Sequence, residues 1–383
     1  MTDQHFIKVA NDPFCNAERT LQSLRNLSGK FSLCLGGTQT SDVPDISAAG
    51  VSAEMRRLTP CTDAEALVAG RAITADSIPV SPLGIVSPIV VTRACLSLIP
   101  GLVIETVDCG TFVSPRIAHK KVGTTPAFSV TTGAAIPYGE VLELYRKGYS
   151  YGIACAKEFD FLVVAECVPG GTTTAMGVLT ALGHDVYNML SSSLPQSESD
   201  LRFRLVSEGL ARTSLRVEDF VADPLAAVAA VGDPMQAFVV GLLSAACSSV
   251  PVVLGGGSQM LAVFALYKAM LRVQPGAVFP PEHVPLVVTT KWVAYDPSAR
   301  TVELSRALGA PYVAACPDFA KSRHYGLQAY EEGNVKEGTG AGAALALARC
   351  LGGSSESEII TAIDRVYDET IGSDSSQRQL AQV

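Results

Sequence analysis

The chain has 383 residues, which suits one large α/β domain or two smaller ones. Apolar residues make up 48% and charged residues only 17%, enough to build a large core and to exclude global disorder. The formal net charge is −8 and no basic run occurs, which argues against nucleic acid as a partner.

The N-terminal stretch MTDQHFIKVANDPF has no apolar core of the signal-peptide type. Downstream, six short apolar runs end in glycine or small polar loops: FSLCLGG (31–37), LVIETVDCG (102–110), FDFLVVAEC (159–167), VPVVLGGG (250–257), PLVVTT (285–290) and PYVAAC (311–316). They are rich in Val, Ile and Leu and lack strict alternation, the pattern of strands buried on both faces of a parallel sheet. Helical stretches lie between them at 172–183, 224–232, 235–247 and 258–271. Strand and helix alternate, so the expected class is α/β with a mostly parallel sheet, and ligand sites are expected at the carboxyl ends of the strands.

Residues 235–254 carry no charge over 20 positions, a length that spans a bilayer. Ser248, Ser249 and Pro251 divide the stretch into a helix-like half and a β-branched half, which favours a buried helix followed by a buried strand. No membrane partner is therefore expected, and the expected location is cytoplasmic. The polar segment SSSLPQSESD (191–200) reads as an exposed loop. Residues 1–150, rich in proline and with fewer clear helices, are expected to form a smaller accessory part packed on the main sheet. Residues 151–371 form the expected core, and 372–383 a frayed tail. The ten cysteines include no CxxC pair and the five histidines no HxxxH, so buried thiols in a reducing cytosol are expected, and no metal site.

Three motifs carry chemistry. In AECVPGGTTTAMGVLTALG (165–183) a strand ends at Glu166, Gly170 and Gly171 make a turn, and Thr172, Thr173 and Thr174 open a helix. Amides and hydroxyls at a helix start suit a phosphate, and equally serve a plain N-cap on a tight turn. LGGGSQMLAVFAL (254–266) repeats the design with Gly255, Gly256, Gly257, Ser258 and Gln259. In EGTGAGAALALA (337–348), Glu337 stands before Gly338, Thr339 and Gly340 at the mouth of an Ala/Leu helix. There it is either an anion placed against the helix dipole or a catalytic base. Glu166 has the same two readings and a third, as a carboxylate that binds sugar hydroxyls. A nicotinamide-dinucleotide fingerprint is disfavoured, because no strand precedes the GTGAG of 338–342.

Taken in order, these segments resemble the nicotinate-nucleotide–dimethylbenzimidazole phosphoribosyltransferase family of cobamide synthesis, over roughly residues 150–350. The resemblance implies a Rossmann-like three-layer α/β/α fold, a homodimer, and transfer of phosphoribose from nicotinate mononucleotide to an azole base, with nicotinate released. It also implies that Glu337 is the general base, that Gly170, Gly171 and Thr172 to Thr174 form the phosphate loop, and that Glu166 is the accompanying carboxylate. The loops at 255–259 and 338–340 would complete the substrate pocket. No metal or cofactor is implied. The sequence departs from the family after its Pro-Val-Val strand, where an acidic residue and Gly-Phe are usual and Leu254-Gly255-Gly256-Gly257-Ser258-Gln259 stands instead. The family's base-pocket segment has no alignable counterpart in 31–130, so the accepted base is open between benzimidazoles, other azoles and purines. A non-catalytic nucleotide-binding protein of the same fold is the alternative.

Overall fold

The computed structural model describes residues 6–81, 83–194, 199–274, 276, 279 and 283–371. The tail at 372–383 lies outside them. Among the described residues eight strands form one sheet: β1 (Ile7–Asn11), β2 (Gly29–Leu35), β3 (Val103–Asp108), β4 (Lys120–Lys121), β5 (Phe161–Cys167), β6 (Val252–Gly255), β7 (Leu286–Thr290) and β8 (Tyr312–Ala315). Their order across the sheet is β1-β8-β7-β6-β5-β2-β3-β4. Every neighbouring pair is parallel except β1 with β8.

The six apolar runs became β2, β3 and β5 to β8. Their side chains alternate between two cores. Along β5, Leu162 and Val164 pack on one face, while Phe161, Val163 and Ala165 pack on the other. The first face is covered by helices Tyr138–Glu158, Gly171–Ala181, Pro234–Ala246 and Ser258–Val273. The second is covered by Ala53–Ala69, Ile89–Ser97, Ala341–Cys350 and Glu356–Ile371. The result is the three-layer α/β/α arrangement, and burial on both faces is why the strands read as continuous apolar runs. The uncharged stretch 235–254 divides into helix Pro234–Ala246 and strand β6. Among the described residues no helix is long and apolar enough to cross a membrane.

The first 150 residues are more deeply involved than an accessory part would be. They supply β1 to β4, β2 pairs directly with β5, and residue 150 lies inside helix Tyr138–Glu158. The region hides its helices where a readable apolar stripe is lacking. The clearest case is Ala53–Ala69, which contains Pro60 and buries Arg56, Thr59, Thr62, Asp63 and Glu65. These polar side chains hold loops. Arg56 donates to the Ser41 and Gly50 carbonyls at 2.5 and 3.2 Å, and Glu65 accepts from the amides of Ile73 and Thr74 at 2.7 and 2.8 Å.

Strands β2, β3 and β4 run away from β5 in one direction, and β6, β7 and β8 in the other. The order therefore reverses between β2 and β5. Loops leaving the carboxyl ends of those two strands part there and open a crevice, the usual ligand position in a doubly wound sheet.

Candidate active site

That crevice holds a cavity of about 900 Å³ including the open space at its mouth. Residues 46–49 after β2, 166–172 at and beyond the end of β5, 257–259 after β6, and 335–339 line it, together with Asp63, Ser191, Ser192, Ser193 and apolar residues that include Ile85, Val86 and Pro88. Of the residues singled out in the sequence, Glu166, Gly170, Gly171, Thr172, Gly257, Ser258, Gln259, Glu337, Gly338 and Thr339 face this one space.

The rest do not line it. Thr173 and Thr174 are fully buried, and the Thr174 hydroxyl donates to Asp233 at 2.5 Å. The Gly171 amide donates to the Val168 carbonyl and the Thr173 amide to the Gly170 carbonyl, both at 2.9 Å, so part of the helix start is already committed to the turn. Gly255, Gly256 and Gly340 also lie off the lining. Gly340 (φ +73°) serves packing, because a Cβ there would sit 2.5 Å from the Ala165 Cβ. A Cβ on Gly342 would come within 2.1 Å of the Thr289 carbonyl carbon. These glycines let helix Ala341–Cys350 press its first turn onto the sheet, which brings Glu337 to the end of β7.

Glu337 is half-buried and bent back over its own helix start. Its Oε2 accepts from the Thr290 amide at 2.8 Å and the Thr289 hydroxyl at 3.1 Å; its Oε1 accepts from the Gly338 and Gly342 amides, each at 3.2 Å. Burial raises its pKa to about 7 against the pull of those donors. Glu166 is buried, with Oε2 accepting from Gln259 Nε2 at 2.8 Å and the Val168 amide at 3.3 Å. Burial first, and then the charge of Glu337, raise it to about 8. Gln259 reaches Glu166 only because residue 171 is glycine, since a Cβ there would lie 2.1 Å from Gln259 Oε1.

The loop that carries Glu337 is strained. Val335, Lys336 and Thr339 have φ of +63°, +60° and +54°, and left-handed backbone is unfavourable for such residues by about 1–3 kcal/mol each. Several bonds hold it. The Val335 amide donates to the Ser193 carbonyl at 2.9 Å, and the Thr290 hydroxyl to the Lys336 carbonyl at 2.6 Å. The hydroxyls of Thr92 and Thr339 meet at 3.0 Å. Lys336 Nζ lies 2.6 Å from Asp296 Oδ2, with both side chains almost wholly buried. Burial lowers the Lys336 pKa while Asp296 opposes that shift. Burial pushes Asp296 up, but hydrogen bonds from Lys336, Ser191 and Ser298 hold it below its ordinary value.

Sequence reasoning did not find Asp63, Lys336 or the three serines. The segment 191–200 reads in sequence as an exposed loop, but Ser191 and Ser192 are buried in the cavity wall, and 195–198 lie outside the described residues. The reason is pairing: Ser191 donates to Asp296 at 2.5 Å, and Ser193 Oγ accepts from the Ala48 amide at 2.9 Å. An uninterrupted SSS is the only local signal, and it reads as a loop. Among the described residues no group of three His, Cys, Asp or Glu side chains is placed to hold a metal ion.

The carboxyls make stability depend on pH. Asp233, Asp63, Glu337 and Glu166 titrate in the fold at about 6, 7, 7 and 8, above the ordinary carboxyl range. The folded state therefore binds more protons than the unfolded chain between about pH 4 and 8. Their contribution is fully present below about pH 4 and is lost as pH rises through 6 to 8. Asp296, Glu65 and Glu105 are shifted down and act oppositely, losing their contribution as pH falls below about 4. Thermal unfolding is expected to show its highest midpoint near pH 5 and a falling midpoint from 5 to 8.5. A midpoint that climbs over that interval would contradict the titration of the four groups.

Comparison with known proteins adds the following. The sequence model of the phosphoribosyltransferase family matches residues 92–280. A UPF0284 protein of Gloeobacter violaceus is 41% identical over 353 residues, covering 91% of this chain and 90% of the relative. One from Sulfolobus acidocaldarius is 35% identical over 353 residues, covering 90% and 97%. Two solved structures share the fold. A nicotinate-nucleotide-dimethylbenzimidazole phosphoribosyltransferase from Thermus thermophilus aligns with a TM-score of 0.57 at 15% identity, covering 95% of this chain and 94% of that one. A structure of CobT from the same organism aligns with a TM-score of 0.58 at 16% identity, covering 95% of each chain.

Proposed function

The chain belongs to the UPF0284 family, a divergent branch of the phosphoribosyltransferases, and we propose that it moves phosphoribose from nicotinate mononucleotide to a nitrogen of an azole base, with Glu337 as the general base. The observation that carries this reading is the meeting of Glu166 and Glu337 in one cavity at the strand ends. The C1′–N bond of the donor breaks with its electron pair passing to the pyridine nitrogen, so nicotinate leaves without an acid. Positive charge develops on the ribose, where the ionised carboxylate of Glu337 stabilises it, while Glu166, protonated below about pH 8, offers its carboxyl to the sugar hydroxyls. One azole nitrogen bonds to C1′, and Glu337 takes the proton from the other. Thr172 at the start of helix Gly171–Ala181 and the hydroxyls of Ser192 and Ser193, all at the cavity wall, are donors available to a phosphate, since the Gly171 amide is taken by the Val168 carbonyl. A homodimer in the cytoplasm belongs to the same proposal, by resemblance.

The test is the pH profile of transfer. Glu337 must be ionised to accept a proton, and burial holds it at about 7. Accordingly kcat/KM is expected to rise about tenfold per pH unit below about 7 and to level off above it. A profile flat from pH 5.5 to 8 would remove Glu337 as the base.

One observation favours the second reading, a nucleotide-binding protein without turnover. Both Glu337 oxygens are already engaged by Thr289, Thr290, Gly338 and Gly342, as they would be in a purely structural cap on a helix start. The two readings separate at the Glu337→Gln variant.

A further inference from the structure

Asp63 has no part in the steps above, yet it lines the same cavity. It projects from helix Ala53–Ala69 and is only 2% exposed. Its Oδ2 accepts from the Ser87 hydroxyl at 2.9 Å and from the Cys167 thiol at 3.7 Å. Its Oδ1 has no hydrogen-bond partner. Burial raises this carboxyl to about 7. A buried carboxyl oxygen left unpaired is unfavourable, so a ligand in the cavity that donates a hydrogen bond to it is favoured over one that cannot.

Placement indicates which part of a ligand would do so. Asp63 touches Cys167 at the end of β5, whereas Glu337 is anchored on Thr289 and Thr290 at the end of β7. Those anchors are two strand spacings apart, roughly 10 Å. A fused two-ring base can bridge that interval, with its reacting nitrogen toward Glu337 and its periphery toward Asp63. The wall of the same cavity includes Ile46, Ile85, Val86 and Pro88, apolar side chains available to hold the rings.

We propose that Asp63 determines which base is accepted: its carboxyl hydrogen-bonds a donor on the periphery of the base, so the acceptor is an azole bearing a hydroxyl, amino or outer ring N–H group. A base with an all-hydrocarbon periphery leaves Oδ1 unpaired and is disfavoured. This rests on the transfer reading above and adds the chemical class of its second substrate.

The experiment compares kcat/KM for a hydroxyl-substituted benzimidazole with that for its methyl-substituted isostere, using nicotinate mononucleotide as donor. Wild type, Asp63→Asn and Asp63→Leu are assayed. The ratio of the two bases within one variant does not depend on how much of that variant is folded. Wild type is expected to prefer the hydroxyl base by about 10- to 100-fold. Asp63→Asn keeps part of that preference, and Asp63→Leu brings the ratio to unity or inverts it. A wild-type ratio near unity, or one that Asp63→Leu leaves within twofold, overturns the proposal while leaving the transfer reading in place. No nicotinate release with any base removes the transfer reading, and this inference with it.

Discussion

Replacing Glu337 with glutamine is expected to lower the rate of nicotinate release by about 10²- to 10⁴-fold, the usual contribution of a general base. Nucleotide affinity should change only a few-fold. Glutamine keeps the length and shape of the side chain, so the cavity is preserved, but its amide cannot take a proton from the azole. The substitution also brings a structural conflict. The glutamate oxygens accept from Thr289, Thr290, Gly338 and Gly342, and a glutamine must turn its NH₂ group toward at least one of these donors. A modest fall in the unfolding midpoint is therefore part of the expected result. Single-turnover release and equilibrium nucleotide binding, measured on the same preparation, distinguish loss of chemistry from loss of shape. If turnover drops only in proportion to nucleotide affinity, Glu337 is a helix-start residue and nothing more.

Removing the cation beneath the site is the second large effect. Lys336→Ala leaves Asp296 buried with only the donors from Ser191 and Ser298, and breaking a buried ion pair from one side typically destabilises by about 3–5 kcal/mol. Lys336 also has a left-handed backbone, so the variant frees the strained segment next to Glu337. Transfer is expected to fall even at temperatures where the protein stays folded. Taking out both charges as Lys336→Met with Asp296→Leu is expected to recover most of the lost stability but not the activity, because an apolar pair fills the space without fixing the loop. Denaturant unfolding of the three proteins checks this. A single variant that loses under about 1 kcal/mol would show that the pair does not hold the loop.

Much of this fold was legible because a parallel sheet covered on both faces turns its strands into plain apolar runs. Strands β1 and β4 were not legible, since they lie at the edges: β1 is only partly covered, and β4 is the exposed pair Lys120 and Lys121. Helix Ala53–Ala69 was missed because its buried face mixes polar side chains and a proline with its few apolar ones. The same fact hid Asp63, a carboxyl among hydrophilic neighbours whose cavity is closed by residues far along the chain.

The glycine loops announced the site but did not fix which residues enter it. Thr172 lines the cavity while Thr173 and Thr174 turn into the core, a distinction set by the helical rotation of roughly 100° per residue and invisible in a TTT run. Lys336 stands beside Glu337 in the sequence, but its importance comes from Asp296, which is 40 positions away. Glu337 does sit against the amides of a helix start, and it also faces a cavity shared with a second buried carboxyl.

The most direct measurement is nicotinate release from nicotinate mononucleotide by the wild-type protein, with and without a panel of azole bases. The account predicts release that requires a base and yields one ribosylated azole per nicotinate. Tight nucleotide binding with no release for any base would contradict it and leave a nucleotide-binding protein built on a transferase fold.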